Sequence, residues 1–196
     1  NLPKLGKIRR VTFQMCQYSS RYDKFKNGII ENAFRPELSN GSLMDIGVYC
    51  VHPMVKILGK PDCVMASCVK LHNGVDGMGT ILASYDEQGA QAELIYSKIT
   101  DSPVPSQIQG EEGTMYMESL PILTKVWIRY RDKSREDISF ELEDPGNNMN
   151  YEIAEFMRIA EANGSAEKHN QYSVWEMQVM DEARRQMGIV FPADRV

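Results

Sequence analysis

The arrangement of apolar and polar positions predicts a helix between residues 41 and 59, around which the other elements are organised. Apolar residues recur there at steps of three and four, which places them on one helical face. This predicted core face consists of Met44, Val48, Val51, Val55 and Leu58. Pro53 lies within the stretch. Because proline lacks a backbone N–H and crowds the preceding turn, we expect a local kink there.

Strands are predicted on both sides of this helix by alternation of apolar and polar residues. Residues 7–18 form the first strand, and residues 17–40 form a long connection rich in aromatic and arginine side chains. The strands after the helix are separated by tight turns, which connect antiparallel neighbours because parallel crossovers need longer segments. We place these strands at residues 63–71, 80–85, 91–98, 106–109, 114–118, 126–130 and 138–142.

Two helices are predicted to close the chain. The first spans residues 148–163 and carries Ile153, Phe156, Met157 and Ala160 on one face. The second begins at a capping box formed by residues 173–176 and ends before Gly188. We interpret the methionines at helical spacing in the second helix as core residues, and the alternative is an adaptable binding face.

These elements predict an α+β fold, with a large, mostly antiparallel sheet and helices packed on one face, in a single domain of residues 1–196. The other face of the sheet also carries large apolar groups, among them Trp127 and either Tyr96 or Ile95. Because apolar sheet faces need a cover, we hypothesise a homo-oligomer formed through this open face.

Composition excludes several classes of function. A net charge of −5 over 196 residues argues against a nucleic-acid binder, and we find no membrane-spanning or signal segment. The four cysteines match no zinc pattern and the three histidines are scattered, so we predict no metal site. We expect a cytoplasmic protein. Because the sequence does not begin with Met and enters a strand pattern at once, we also expect an N-terminal part to be missing.

A second stripe of side chains follows the predicted helix beside its apolar face. It consists of Asp45, Tyr49, His52 and Lys56, which bring acid and base groups within reach of one another. A tyrosine phenol ionises near pH ~10, so it exchanges protons at neutral pH only where a cation or burial changes its pKa. The spacing alone is more typical of a solvated helix flank with a structural histidine.

The residues of this helix, GSLMDIGVYCVHPMVKILG, resemble the signature helix of the glucose–fructose oxidoreductase/inositol dehydrogenase (Gfo/Idh/MocA) family. The Asp-Ile-Gly-Val-Tyr version is most similar to the branch that includes dihydrodiol dehydrogenase. Three further segments resemble the family in the right order. They are GKIRRV near the start, Ile108-Gln-Gly-Glu-Glu-Gly-Thr-Met115, and the stretch from Tyr151 to Pro192.

The resemblance implies a two-part enzyme of which this chain is the C-terminal part, with a fold like that of glyceraldehyde-3-phosphate dehydrogenase-like oxidoreductases. NAD or NADP would bind mainly to an N-terminal Rossmann domain that is missing here. Gly77-Met-Gly79 does not qualify as a dinucleotide fingerprint, because it lies between two antiparallel strands. Tyr49 would take the family's acid/base position and Asp45 its aspartate partner. The implied reaction is hydride exchange with a small molecule: a sugar, polyol or dihydrodiol.

For the substrate pocket we name Tyr18, Arg21 and Arg35, from the long connection, together with His52. The arginines would steer a polyhydroxylated or acidic substrate, and the alternative for each is a surface salt bridge. Two other functions stay open for the chain. One is a non-catalytic relative that uses its sheet for assembly or regulation, and the other is a small-molecule binding module without a redox role.

Overall fold

A computed structural model describes residues 2–142, 146, 149–162 and 164–195. These residues form one eight-stranded sheet with the order β2-β3-β4-β1-β5-β6-β7-β8. The strands are β1 (Ile8–Cys16), β2 (Cys63–Lys70), β3 (Asp76–Tyr85), β4 (Ala90–Ser97), β5 (Ser106–Gly110), β6 (Gly113–Met117), β7 (Lys125–Tyr130) and β8 (Ile138–Glu141).

Six of the seven strand pairings in the described residues are antiparallel, and β1 with β4 is the parallel one. The parallel pair arises because the chain leaves β1, crosses one face of the sheet in helical segments, and returns through β2 and β3. β1 therefore lies in the middle of the sheet although it comes first in the chain. The predicted α+β fold with a mostly antiparallel sheet is confirmed.

The predicted helix at residues 41–59 consists of two parts. A π-helical turn spans Leu43–Gly47 and continues directly into helix α2 (Val48–Leu58). Because a π turn contains more residues than an α turn, it rotates the residues before α2 relative to those within it. The core side of the first part is therefore formed by Leu43, Ile46 and Gly47, whereas the predicted Met44 and Val48 are half-buried at its edge.

The long connection at residues 17–40 folds into short helical segments. It contains the short helix α1 (Tyr22–Lys26) and two 3-10 turns, Asn32–Phe34 and Pro36–Leu38. Phe25 and Phe34 pack together with ring centroids 5.2 Å apart and form a small core of their own with Val75. This core holds the connection against the sheet.

The closing helices are α3 (Met149–Glu161) and α4 (Glu167–Met187). The predicted ends of the first helix at residues 148 and 163 lie outside the described residues. The capping-box prediction at residues 173–176 was wrong, because α4 already begins at Glu167. The backbone N–H of Glu167 donates to the Ser165 hydroxyl, whereas the Ser173 hydroxyl, inside α4, donates to the His169 carbonyl.

One face of the sheet is covered by α2 and α4, which contact each other and the sheet. Val11, Phe13, Ile81, Leu94 and Tyr96 are buried beneath them. Of the methionines in α4, Met180 and Met187 belong to this core, and Met177 is exposed.

The opposite face of the sheet is open and carries Met65, Leu82 and Trp127 together with polar side chains. Tyr96 points into the core, so Ile95, half-buried, belongs to the open face. No described helix has the length and the apolar character that crossing a membrane requires.

Candidate active site

A cavity of about 460 Å³ opens where β1, the end of β4 and the π turn meet. Its walls come from the long connection, the π turn and the start of α2. Residues with polar chemistry in these walls include Tyr18, Arg21, Asp45, Tyr49 and Lys98. The topology thus gathers residues that are distant in the sequence around one opening, such as Tyr18 and Lys98, which are 80 positions apart.

The π turn is anchored at its start by a buried carboxylate. Asp76, at the start of β3, is 1% exposed, and its Oδ2 accepts the backbone N–H of Leu43 at 2.6 Å. Burial raises the pKa of Asp76, an effect that the hydrogen bonds from the backbone N–H groups of Leu43 and Ser42 oppose. Gly41 leaves room for this carboxylate, because a Cβ there would overlap Asp76 Oδ1.

Glycine also allows the next turn to lie close to the sheet. A Cβ at Gly47 would lie 2.9 Å from Cδ1 of Leu43 and 3.3 Å from Cγ of Tyr96. Close packing therefore explains why a glycine lies between Asp45 and Tyr49. It lets the helix sit directly on the Tyr96 ring while the two polar side chains on its other side face the cavity.

Asp45 and Tyr49 both line the cavity and both remain accessible. The Tyr49 side chain is 47% exposed and stands on the rim, since it also lines a second cavity beside the first. Pro53 removes the helical donor that would otherwise reach the Tyr49 carbonyl. The phenol thus faces outward from the fold rather than into the core.

Lys98 is a site residue that the sequence analysis missed. Its ammonium forms an ion pair with Asp45 Oδ2, its side chain is 5% exposed, and it lies 5.5 Å from the Phe34 ring centroid. Burial, together with the positive charge of Arg21, lowers the pKa of Lys98 to about 8. A signal existed in the sequence, because Leu94, Tyr96 and Lys98 share a period of two and hence the core-facing side of the sheet.

The long connection supplies the other wall. The Tyr18 hydroxyl donates to Asp23 at 2.7 Å and accepts from Lys26 at 2.9 Å, so it is already held in place. Arg21 lines the cavity, and the described part of the chain shows no ion pair for its guanidinium. The alternative of a surface salt bridge for Arg21 finds no partner among these residues.

The other two candidate residues lie elsewhere. Arg35 is exposed between the two 3-10 turns and is not among the residues that line the cavity. His52 lines the second, mainly apolar cavity of about 550 Å³, and its Nδ1 lies 2.7 Å from Glu176 Oε2 on α4. The structure therefore brings together Tyr18, Arg21, Asp45 and Tyr49, adds Lys98, and leaves Arg35 and His52 outside this cavity.

The GFO/IDH/MocA C-terminal domain profile matches residues 3–116, more than half of the chain. The chain belongs to this family. A scyllo-inositol 2-dehydrogenase (NADP(+)), IolU from Bacillus subtilis (strain 168), is 48% identical over 197 residues, covering 100% of this chain and 59% of that protein. The oxidoreductase YgjR of Escherichia coli (strain K12), whose own function is uncharacterised, is 37% identical, covering 100% and 58%.

A trans-1,2-dihydrobenzene-1,2-diol dehydrogenase from Danio rerio is 26% identical, covering 84% of this chain and 52% of that protein. The family resemblance of the sequence is thus confirmed, and the chain spans a little more than half the length of these relatives. A crystal structure of KijD10, a 3-ketoreductase from Actinomadura kijaniata in complex with NADP and TDP-benzene, has the same fold. It aligns with a TM-score of 0.74 at 17% identity, covering 93% of this chain and 55% of that one.

Proposed function

We propose that residues 1–196 are the substrate-binding and oligomerisation domain of an NAD(P)-dependent oxidoreductase that exchanges hydride with a sugar, polyol or dihydrodiol. The observation that carries the proposal is the placement of Tyr49, whose half-exposed side chain shares one cavity with Asp45, Lys98 and Arg21. Support comes from the relatives, which include a scyllo-inositol 2-dehydrogenase (NADP(+)) and a trans-1,2-dihydrobenzene-1,2-diol dehydrogenase.

Tyr49 is the proton donor and acceptor in this proposal. In the reductive direction, the Tyr49 phenol donates its proton to the carbonyl oxygen of the substrate as the hydride reaches the same carbon, and oxidation is the reverse of this step. Asp45 accepts a hydrogen bond from a substrate hydroxyl and so orients the reacting carbon beneath the phenol. Tyr18 and Arg21, on the opposite wall, contact the remainder of the substrate.

The segment Gly77-Met-Gly79 does not fit the phosphates of a dinucleotide. Such phosphates need a glycine-rich turn or a helix N-terminus that presents free N–H groups. Gly77 and Gly79 lie within β3, and their open space is taken by Leu71 and Ile99 and by Tyr96. The nicotinamide cofactor, which accepts or donates the hydride, is therefore assigned to an N-terminal Rossmann domain outside this chain.

The open sheet face is the proposed subunit interface. Met65, Leu82 and Trp127 give it apolar area, whereas the face under α2 and α4 is already covered. A sheet face of this composition is typical of an antiparallel sheet that packs on a second layer. A homo-oligomer formed through it would bury these side chains.

Replacing Tyr49 by Phe in the full-length protein tests the catalytic proposal. We expect loss of turnover with scyllo-inositol and NADP⁺ by about a hundredfold or more, with cofactor affinity unchanged. Tyr151→Phe is the matched control, since Tyr151 is an exposed tyrosine of α3 that lies neither in the cavity nor on the open sheet face. Unchanged turnover in Tyr49→Phe contradicts the assignment. Absence of cofactor binding by the full-length protein would favour the non-catalytic alternative.

A further inference from the structure

Lys98 holds a position that the proposed proton transfer does not yet use. It follows directly after β4, and its ammonium binds one oxygen of Asp45 at the floor of the cavity. We propose that Lys98 is a positioning residue, which fixes Asp45 as an ionised acceptor and leaves its second oxygen directed to a hydroxyl of the substrate. This inference rests on the proposed function of the same cavity.

The backbone of Lys98 is fixed on both sides. Its N–H donates to the Gly77 carbonyl and its carbonyl accepts from the Ser19 N–H, both at 2.9 Å. Ser97, just before it, receives hydrogen bonds from the backbone N–H groups of Ile99 and Thr100. The lysine side chain therefore leaves the sheet at a defined point, from which its ammonium pairs with Asp45.

The surroundings of the ammonium make this pair different from a surface ion pair. The side chain is almost fully buried, and the Phe34 ring covers it from the long connection. Burying an ammonium costs free energy, so the pair contributes less to stability than the attraction between the two charges alone suggests. Asp45 is 39% exposed, so its carboxylate stays partly hydrated when Lys98 is replaced. A lysine kept here solely for stability would be a poor choice, so its effect on activity and its effect on stability should separate.

The use of the Asp45 oxygens supports the same assignment. Oδ2 takes the Lys98 ammonium, and no described residue donates a hydrogen bond to Oδ1. The Asp45 side chain is partly exposed to the cavity, so a hydroxyl can reach it. A carboxylate fixed at one oxygen presents the other in a defined direction, which is what discrimination between hydroxyl positions requires.

The charged state of Lys98 changes within a measurable pH range. The titratable groups that line the cavity with it are Tyr18 and Arg21 from the long connection and Asp45 and Tyr49 from the helix. Because burial and Arg21 lower the pKa of Lys98 to about 8, its ammonium loses a proton as pH rises through that value. Asp45 then loses its cation, so we expect an alkaline limb in the activity of the wild-type protein.

The test compares Lys98→Met and Lys98→Arg in the full-length protein, assayed first with scyllo-inositol and NADP⁺ and otherwise with the best polyol or sugar from a substrate screen. In Lys98→Met we expect kcat/KM to fall about tenfold to a hundredfold, with cofactor affinity unchanged. The melting temperature should change little, because the Asp45 carboxylate stays partly exposed to water. Lys98→Arg should keep activity without the alkaline limb near pH 8, because a guanidinium stays protonated.

Two results would overturn the inference. One is a Lys98→Met variant within twofold of the wild type, and the other is an alkaline limb that persists in Lys98→Arg. If Lys98→Arg fails to fold, the pH profile of the residual activity of Lys98→Met is measured instead. An alkaline limb near pH 8 in that profile would also overturn the inference. If Tyr49→Phe abolishes turnover and Lys98→Met does not reduce it, the role of Lys98 is refuted but the proposed function is not. If Tyr49→Phe leaves turnover unchanged, the proposed function is refuted.

Discussion

Gly79 and Tyr96 are cross-strand partners on β3 and β4, and the tyrosine side chain lies over the glycine. A Cβ at Gly79 would be 2.6 Å from Cζ of Tyr96 and 2.9 Å from the carbonyl oxygen of Ser67. The Tyr96 ring is fully buried beneath the π turn, with Gly47 on its other side. Two glycines thus enclose one ring between the sheet and the helix that carries Asp45 and Tyr49.

Replacing Gly79 by Ala should therefore destabilise the protein. The added methyl group forces the buried ring or the neighbouring β2 backbone to move, and overpacking of this kind costs about 1–3 kcal/mol. Urea unfolding measures the change in the free energy of unfolding. Gly164→Ala is the control, because a Cβ there makes only ordinary contacts. Equal stabilities of the two variants would contradict the close packing at Gly79.

The buried carboxylate of Asp76 predicts a pH dependence of stability with a definite sign. Burial raises its pKa in the folded state, so the folded protein holds this proton more tightly than the unfolded chain. The stability that this group contributes is fully present below the unfolded pKa of 3.8 and is lost as pH rises through the higher folded pKa.

The variant Asp76→Asn isolates this contribution, because the amide does not titrate while its oxygen can still accept the Leu43 N–H. We expect the free energy of unfolding of the wild type, minus that of Asp76→Asn, to decrease as pH rises above the unfolded pKa of 3.8. Denaturant unfolding at several pH values measures it, and other titrating groups cancel in the difference. A difference that increases with pH would show that hydrogen bonding, rather than burial, dominates at Asp76.

The contact between His52 and Glu176 should contribute to the packing of α2 on α4. Nδ1 of His52 lies 2.7 Å from Oε2 of Glu176, and the glutamate side chain is largely buried. A double-mutant cycle with His52→Ala and Glu176→Ala should give a coupling energy of about 1 kcal/mol in the free energy of unfolding. Catalytic rates should change little if this histidine has the structural role that its partner suggests. A coupling energy near zero would contradict a structural role for this contact.

Local sequence patterns were sufficient to predict the strands and their antiparallel neighbours, because apolar and polar residues alternate along the strands and tight turns connect them. They were not sufficient for the parallel pairing of β1 with β4, which depends on how the chain returns over α2 rather than on either strand. The start of α4 was misplaced because two capping signals compete. Ser165 precedes the observed helix, whereas the capping box at residues 173–176 lies within it.

The residues of the candidate site also divide into those that the sequence predicts and one that it does not. Asp45 and Tyr49 are four residues apart on one helical segment, so spacing alone brought them to attention. Lys98 reaches Asp45 through the sheet, across 53 positions of sequence, and no local motif records that contact. The π turn had a comparable effect on the core, since an extra residue in one turn moves Met44 and Val48 to the edge of the buried face.

Helix α3 carries an apolar face that does not contribute to the core of the described residues. Ile153, Phe156 and Met157 recur at helical spacing, and the Phe156 side chain is 69% exposed. Truncation of an exposed side chain removes few contacts and leaves no cavity. In the 196-residue chain, Phe156→Ser should therefore change the free energy of unfolding by less than about 0.5 kcal/mol.

Met180→Ser is the matched variant for this measurement, because Met180 is an apolar residue on the neighbouring helix α4 and is almost fully buried. Its truncation leaves a cavity beneath α4 and a hydroxyl in an apolar site, and we expect a loss of about 2–5 kcal/mol. Urea unfolding of both variants at one pH gives the comparison. A loss at Phe156 as large as that at Met180 would show that the apolar face of α3 is packed in solution, against a surface that this structure leaves uncovered.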